Sequence, residues 1–381
     1  MKRKIAIIGA SYLQVPLILK ARDMGLETHV FAWAAGDPGE TLADFFYPIS
    51  IVEKESILEQ CRTVGIDGIC SIASDLAMVT VNYVADCMHL TANSPECTEL
   101  STNKHAMRKA FEVHGVPSPK SFLVESASDL DAAFLHYPVI VKPLDRSGSR
   151  GITKLETPEG LDQAIQRAKE QGFLKYALVE EYACGDEFSV ECVSWQGQHT
   201  FLAITKKYTT GSPHFIETGH IQPAPVDSHM AETIQKVVCH ALDSLKITYG
   251  ASHTELKIDA EGNIRLIEIG ARMGGDFIGS DLVELTTGVD FVKAVIQIAL
   301  GQKPDICRSH SRTAAVRFVF GADDLLPLKQ LEQEHADYLV RKEIQDNCVG
   351  EVLDSSMRFG YYLLCADGQN DLLPYMPKEK E

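Results

Sequence analysis

Positive charge is scarce in this chain of 381 residues, in which 36 Lys and Arg stand against 53 Asp and Glu, for a formal charge of −17. A nucleic-acid groove or an anionic membrane surface needs a basic footprint, and this balance excludes both as partners. No apolar run approaches the ~18 residues that a membrane-spanning helix needs. The start, MKRKIAIIGA, is basic, but its apolar run is too short for a secretory signal and no A-x-A-like site follows. The expected location is therefore the cytoplasm. The ten cysteines show no C-x-x-C or other metal-ligand spacing, and Cys70, Cys192, Cys239 and Cys365 sit within apolar runs. Free thiols in a reducing compartment are the expectation. No G-x-x-x-x-G-K-[ST] occurs, and the first turn, Gly9-Ala10-Ser11-Tyr12, lacks the repeated glycines of a dinucleotide fingerprint. There is no internal repeat and no low-complexity tract.

What is present is an ordinary globular composition, 45% hydrophobic with dispersed charge, in a chain long enough for two or three domains. Residues 1–100 alternate strand-like and helical runs: Lys4–Ile8, a helix near Val15–Met24, Glu27–Ala32, a helix from Lys54, Gly68–Ile72, and a helix over Leu76–Met88. That alternation predicts a parallel α/β unit. Residues 101–182 read helix, strand, strand, helix, strand. Residues 183–310 form a larger half, and residues 311–381 carry two strand-like runs, Ala314–Phe320 and Phe359–Cys365.

Chemistry concentrates in four segments. In HTELKIDAEGNIRLIEIGARMGG (His253–Gly275), two alternating runs flank an Ala260–Asn263 turn, predicting a hairpin. A two- or four-residue connection sets Glu255 opposite Glu268, about 5 Å apart on one face. Facing carboxylates repel unless a cation lies between them, and hard cations such as Mg²⁺ take such oxygens together with substrate phosphates. Arg272 follows at once. In PVIVKPLDRSGSRG (Pro138–Gly151), Lys142 ends a β-branched run before a loop holding Ser147, Gly148 and Ser149. A lysine beside a flexible loop of small residues suits phosphate. In ALVEEYACGDEFSVECV (Ala177–Val193), two runs flank a turn bracketed by Glu180, Glu181 and Glu187. The fourth, Thr205–Pro225, is rich in Gly, Pro, Thr and His and reads as too irregular for a long helix or strand; in it Glu217 and His220 stand three apart beside Gly219 and can reach one pocket.

In this order, Lys104 in STNKHAMRKAFEVHGVPSP, VIVKP with its glycine loop, VEEYACGDEFSVE, HTELKI and IEIGARMGG strongly resemble the ATP-grasp superfamily over roughly residues 1–320. The resemblance implies an α/β and α+β architecture. A parallel α/β domain leads (1–100), a small lid subdomain (101–182) and a large subdomain (183–310) hold ATP between them, and an antiparallel C-terminal piece (311–381) closes the chain. It implies that Lys104 and Lys142 contact the phosphates, with Ser147, Gly148 and Ser149 in the covering loop. Glu180, Glu181 and the backbone at Ala183 would meet adenine and Glu187 the ribose. Glu255 and Glu268 would carry Mg²⁺ or Mn²⁺, Glu268 also meeting the nucleotide, and Arg272 would steady the transferring phosphoryl group. One departure stands out: the family often has Asn two residues after the second metal glutamate, and this chain has Gly270.

The FIETGH…GASHTELKI…IEIGARMGG series is similar to the L-amino acid ligases of that superfamily. By that likeness Glu217 and His220 would bind amino acid substrates, and Gly275 and Asp276 would shape the pocket beside an acyl phosphate. The implied reaction joins a small carboxylate to an amine with release of ADP. Alternatives are an ATP-grasp ligase of another class (a purine-pathway ribonucleotide ligase or a carbamoyl-phosphate-synthase-like enzyme) or a non-catalytic ATP-binding regulator. Self-association as a homodimer is left open.

Overall fold

The computed structural model describes residues 2–130, 135–144, 151–212 and 214–378. Sixteen strands form three sheets among these residues. The leading sheet is parallel, in the order β3-β2-β1-β4, from β1 (Lys4–Ile8), β2 (Glu27–Phe31), β3 (Phe45–Tyr47) and β4 (Gly68–Cys70). β1 and β2 are buried on both faces apart from their first residues, as expected where helices cover both sides of a parallel sheet. The helix after β1, Val15–Asp23, starts with a proline in its first turn, and Asp75–Met88 is capped by Ser74, whose hydroxyl accepts from the Ala77 N–H.

The second sheet is small and antiparallel: β5 (Ser121–Val124), β6 (Val139–Pro143), β7 (Thr153–Leu155) and β8 (Ala177–Glu181), ordered β5-β8-β6-β7. Three strands, not two, precede its helix Leu161–Gln171, which buries Ala164, Ile165 and Ala168 on the sheet. β7 spans only three half-buried residues, too short to give a periodic signal.

The third sheet has eight antiparallel strands in the order β13-β12-β9-β10-β11-β14-β16-β15. Its strands are β9 (Asp186–Trp195), β10 (Gln198–Thr209), β11 (Glu217–Gln222), β12 (Tyr249–Ile258), β13 (Ile264–Gly270), β14 (Thr313–Phe318), β15 (Leu339–Ile344) and β16 (Gly360–Ala366). Thr205–Pro225 is therefore mostly strand, contrary to the irregular reading. Its polar residues Thr205, Lys206, Lys207 and His220 are buried in the sheet, which hides the alternation that marks a half-exposed strand. β15 is exposed along most of its length and gives little apolar signal.

Helix Phe291–Ala299 joins the leading sheet to the large one. It buries Phe291, Val292, Ala294, Val295, Ile296 and Ile298 in a core shared with Ile5, Ile7 and Leu17. Each large side chain so buried contributes about 1.5–3 kcal/mol. The contact is close: a Cβ on Gly68 would lie 2.5 Å from the Ala299 carbonyl oxygen. Helix Lys104–His114, capped by Asn103 and ended by left-handed Gly115, packs with Ser228–Ser244 over the other end of the large sheet. Among the described residues no helix is long and apolar enough to cross a membrane.

Candidate functional site

The two antiparallel sheets and the leading domain meet at a cavity of about 210 Å³. The hairpin β12–β13 builds its floor. Glu255 does lie opposite Glu268, but by a different route from the even turn expected. The connection is Asp259–Asn263, five residues closed by Asp259, whose Oδ1 accepts from the Glu261 and Asn263 N–H groups. That odd loop pairs Ile258 with Ile264, and a bulge at Ile267 then shifts the register by one, bringing the glutamates face to face.

Both carboxylates are engaged by lysines. Lys104 pairs with Glu268 from the first turn of its helix, and the carboxylate holds its ammonium charged against the cost of burial. Lys207 lies 2.8 Å from Glu255, 2.9 Å from Glu187 and 3.6 Å from Glu217. Burial favours the neutral form of Glu255, but Lys207 and His253 outweigh it and hold that carboxyl well below the usual carboxylate range. His253 is itself sandwiched, with Nδ1 on Glu191 and Nε2 3.4 Å from Glu255. Although burial works against the charge, Glu191 and then Glu255 push the imidazole up to about 9. Fully buried Glu191 also accepts from the Gly274 N–H at 3.0 Å, tying the hairpin floor to the following turn.

Two facing carboxylates are a hard-oxygen donor set that fits Mg²⁺ or Mn²⁺. Among the described residues no group of three or more His, Cys, Asp or Glu forms a self-sufficient metal cage. The remaining coordination would fall to phosphate oxygens and water, the usual arrangement for Mg²⁺.

The opposite wall is β6–β8. Lys142 and Glu180 lie diagonally on one face of that pair, 2.5 Å apart, and Arg108 reaches the same carboxylate from its helix at 3.0 and 3.3 Å. Despite burial, Arg108 and Lys142 bring Glu180 down to about 2. Lys142 is shifted the other way for a base, downward, by burial and by repulsion from Arg108 and Lys104, which exceed the pull of Glu180. Two cations share one carboxylate, so the wall carries surplus positive charge. Arg108 and Lys142 thus hold the Glu180 carboxylate between them at the cavity wall. Glu181, Tyr182, Ala183 and Glu187 continue the lining toward an apolar end at Pro119, Ile140 and Ile267. Ser147, Gly148 and Ser149 lie outside the described residues.

Arg272 is fixed from a direction the sequence did not announce. Its Nε and Nη2 donate to Oδ1 and Oδ2 of Asp75, both at 2.9 Å, and Nη1 donates to the Met273 carbonyl at 3.3 Å. Three of its five N–H groups are used, and two remain for a ligand. Asp75 also explains Gly270. A Cβ at position 270 would lie 2.5 Å from Asp75 Oδ1 and 3.0 Å from Arg272 Nε. The space where the resemblance expects an Asn side chain is filled by a carboxylate of the leading domain.

At the far side, Arg358 donates to Asp276 (2.8 Å) and Glu217 (3.1 Å) while its guanidinium lies 3.8 Å over Phe318. Glu217 lines the main cavity. Gly275 and Asp276 line a small neighbouring gap with Tyr12 and Ala73. A bulge at Thr218 places Glu217 and His220 on one face of β11 despite their odd spacing. His220 nevertheless does not reach the cavity. It is buried edge-on against Phe318, with both ring nitrogens lacking a hydrogen-bond partner. Burial, Lys207 and Arg358 hold it neutral, well below the ordinary imidazole range. Asp75, Lys207, Arg108, His253, Glu191 and Arg358 were all missed. Only His253, Lys207 and Glu191 carried a local signal, as charged or titratable residues within strand-like runs.

The family model described as an ATP-grasp domain matches residues 135–281, from the β6 wall through the Arg272 turn. Residues 135–281 are an ATP-grasp domain. The chain is 26% identical over 306 residues to the alanine–anticapsin ligase of Bacillus subtilis, covering 70% of this chain and 64% of that protein. It is 29% identical over 266 residues to dapdiamide A synthase of Enterobacter agglomerans, covering 65% and 59%. The chain thus spans less than two thirds of the length of these relatives. An L-amino acid ligase from Bacillus licheniformis superposes with a TM-score of 0.82 at 24% identity, covering 98% of this chain and 96% of that one, and shares its fold. The ATP-grasp fold includes the parallel leading sheet as well as the two antiparallel ones.

Proposed function

We propose that this ATP-grasp chain is a carboxylate–amine ligase that joins amino acids through an acyl phosphate and releases ADP. The observation that carries it is the facing pair Glu255–Glu268 beside the two unused N–H groups of Arg272. In this reading ATP lies with adenine near Ala183 and Glu181, its ribose on Glu187 and its phosphates on Lys104 and Lys142. Glu180 anchors Lys142 at the wall. A divalent cation on Glu255 and Glu268 would supply charge neutralisation at the phosphates.

The substrate carboxylate oxygen attacks the γ-phosphorus, the bond to the β-phosphate oxygen breaks, and ADP leaves. Lys142 and Arg272 offset the charge spread over the transferring group. A neutral amine then attacks the carbonyl carbon, inorganic phosphate departs, and the nitrogen loses a proton as the amide forms. Glu217 suits the ammonium of an amino acid substrate. Buried His220, being neutral, serves as packing under that carboxylate in place of the substrate contact expected of it. A ribonucleotide substrate would need a second basic pocket, and among the described residues the crevice at the ends of the leading strands and the gap at Gly275 are lined by Ser, Gln, Asp and apolar or aromatic residues.

The test is ADP release across a matrix of amino acid pairs, with hydroxylamine as a trap. A hydroxamate that depends on ATP, Mg²⁺ and one amino acid carboxylate is expected, with ADP and amide formed one for one when the partner amine is added. ADP release that no amino acid stimulates, alone or paired, would overturn the reading.

A further inference from the structure

The order β3-β2-β1-β4 reverses direction between β1 and β4, and open parallel sheets take ligands in the crevice outside their carboxyl ends at such a point. A cavity of about 310 Å³ lies there, at the lower end of the size range for small-molecule sites. It draws on the segments that follow all four strands, through Ser11, Gln14, Trp33, Asp37, Ser50 and Ser74.

Its walls are preformed. Gln14 donates to the Ile72 carbonyl and accepts from Ser11, locking the turn after β1 to the end of β4. Glu40 Oε1 accepts from the N–H groups of Ala35, Gly36 and Asp37 at 2.8, 2.6 and 2.9 Å, fixing the rim. Ala73 at the rear holds a left-handed backbone, φ 57°, and donates to the Met273 carbonyl. Strain of that kind in a non-glycine residue is concentrated at functional sites. Ala73 and Leu13 line both this crevice and the gap at Gly275 and Asp276, so the crevice opens toward the Arg272 turn.

The chemistry of the lining selects a ligand. The Gln14 amide is already engaged, its oxygen by Ser11 and an N–H by Ile72, so the polar side chains left to a ligand are the Asp37 carboxylate and the hydroxyls of Ser11, Ser50 and Ser74. No Lys, Arg or His lines it among the described residues. Trp33 stands 70% exposed at the mouth, a flat ring with little packed on it. Acceptors beside an open indole face suit a planar donor of N–H groups, stacked and with cation–π attraction if charged.

Resting on the ligase reading, we infer that this crevice is the side-chain subsite of the amine substrate and takes a planar, nitrogen-donor group of the guanidinium, imidazole or amide class. ATP and the activated substrate occupy the main cavity around Glu217. The second substrate therefore approaches from the cavity they leave open.

The chain has two tryptophans, Trp33 and Trp195. Intrinsic fluorescence of the full-length protein, with Trp33→Phe as the subtraction control, therefore reads the crevice without catalysis. Titrating arginine, histidine or glutamine in the presence of Mg²⁺ and a non-hydrolysable ATP analogue should change Trp33 emission saturably, whereas glutamate should not. In turnover with the amine position varied, kcat/KM for arginine or histidine should exceed that for glutamate at least tenfold. Trp33→Ala and Asp37→Asn should each shrink that ratio several-fold. A Trp33 signal indifferent to all these ligands, or a selectivity ratio untouched by both substitutions, overturns the subsite. If no amino acid supports ADP release yet Trp33 responds selectively, the ligase reading fails and the crevice stands.

Discussion

Asp75 and Arg272, 197 positions apart, form a two-pronged ion pair that ties the leading α/β domain to the Arg272 end of the main cavity. Side-on capture by Asp75 uses Nε and one Nη2 hydrogen, which orients the two remaining N–H groups as a fork. Asp75→Asn keeps the shape but loses one acceptor oxygen and the charge. We expect kcat for ADP formation to fall roughly 10–100-fold, the cost of about 1.4–2.7 kcal/mol in the transition state, with KM for ATP changing much less. A fall in ATP affinity with kcat intact would show that Asp75 acts elsewhere.

Gly270 is a close-packed position next to that pair. Gly270→Ala puts a methyl group 2.5 Å from Asp75 Oδ1, so the carboxylate must move or the strand must shift. Overpacking of this type costs about 1–3 kcal/mol. The melting temperature should drop by a few degrees and kcat should fall in parallel with Asp75→Asn. The double variant Gly270→Ala/Asp75→Asn should lose less than the sum of the two, because both act on one contact.

Glu268→Gln removes an anionic oxygen at nearly constant shape. ATP turnover should fall by orders of magnitude and the Mg²⁺ concentration for half-maximal rate should rise. Glu268 is part-exposed and Gln can still accept from Lys104, so the melting temperature should stay within a few degrees. Turnover within about threefold of the parent would remove Glu268 from the metal site.

Lys142→Ala takes away the surplus cation of the β6–β8 wall. It should weaken ATP binding and slow phosphoryl transfer together, since a neutral side chain cannot offset phosphate charge. Lys109→Ala, on the exposed face of the neighbouring helix, is the control and should leave both unchanged. Equal effects would show that Lys142 has no special access to phosphate.

Glu180 gives a prediction in pH. Its carboxyl titrates near 2 in the folded chain against an ordinary value of 4.5, so the folded state binds its proton less readily than the unfolded state. The stability that results is fully present above pH 4.5 and disappears as pH falls toward 2, an effect of about 3 kcal/mol. Glu180→Gln should flatten this acid limb in melts taken from pH 5 to pH 2. It should also destabilise the protein near neutrality, because Arg108 and Lys142 lose their buried counter-charge. An unchanged acid limb would mean that other carboxylates carry it.

Much of this was legible in the sequence because it is local. The alternation of short apolar runs with helical stretches marked the leading parallel sheet, and Lys142, the paired glutamates and Arg272 all sit on contiguous strand or turn motifs. Even there the register was decided elsewhere: the sequence allows an even turn, while the folded hairpin uses a five-residue loop and a bulge at Ile267 to reach the same opposition of Glu255 and Glu268. Bulges answer to packing on both faces of a sheet, and the strand's own residues do not specify them.

Tertiary structure alone decided which charges meet. Asp75 reaches Arg272, Arg108 reaches Glu180, Lys207 gathers Glu187, Glu217 and Glu255, and Arg358 bridges Glu217 to Asp276. None of these pairs shares a local motif, and Arg108 and Arg358 read in the sequence like surface residues. Burial makes them specific, because a desolvated charge without its partner would cost several kcal/mol. Sequence set the inventory of the site, since strand and turn chemistry act over a few residues. The fold set its wiring, since counter-charges are chosen by which surfaces the packed domains exclude from water.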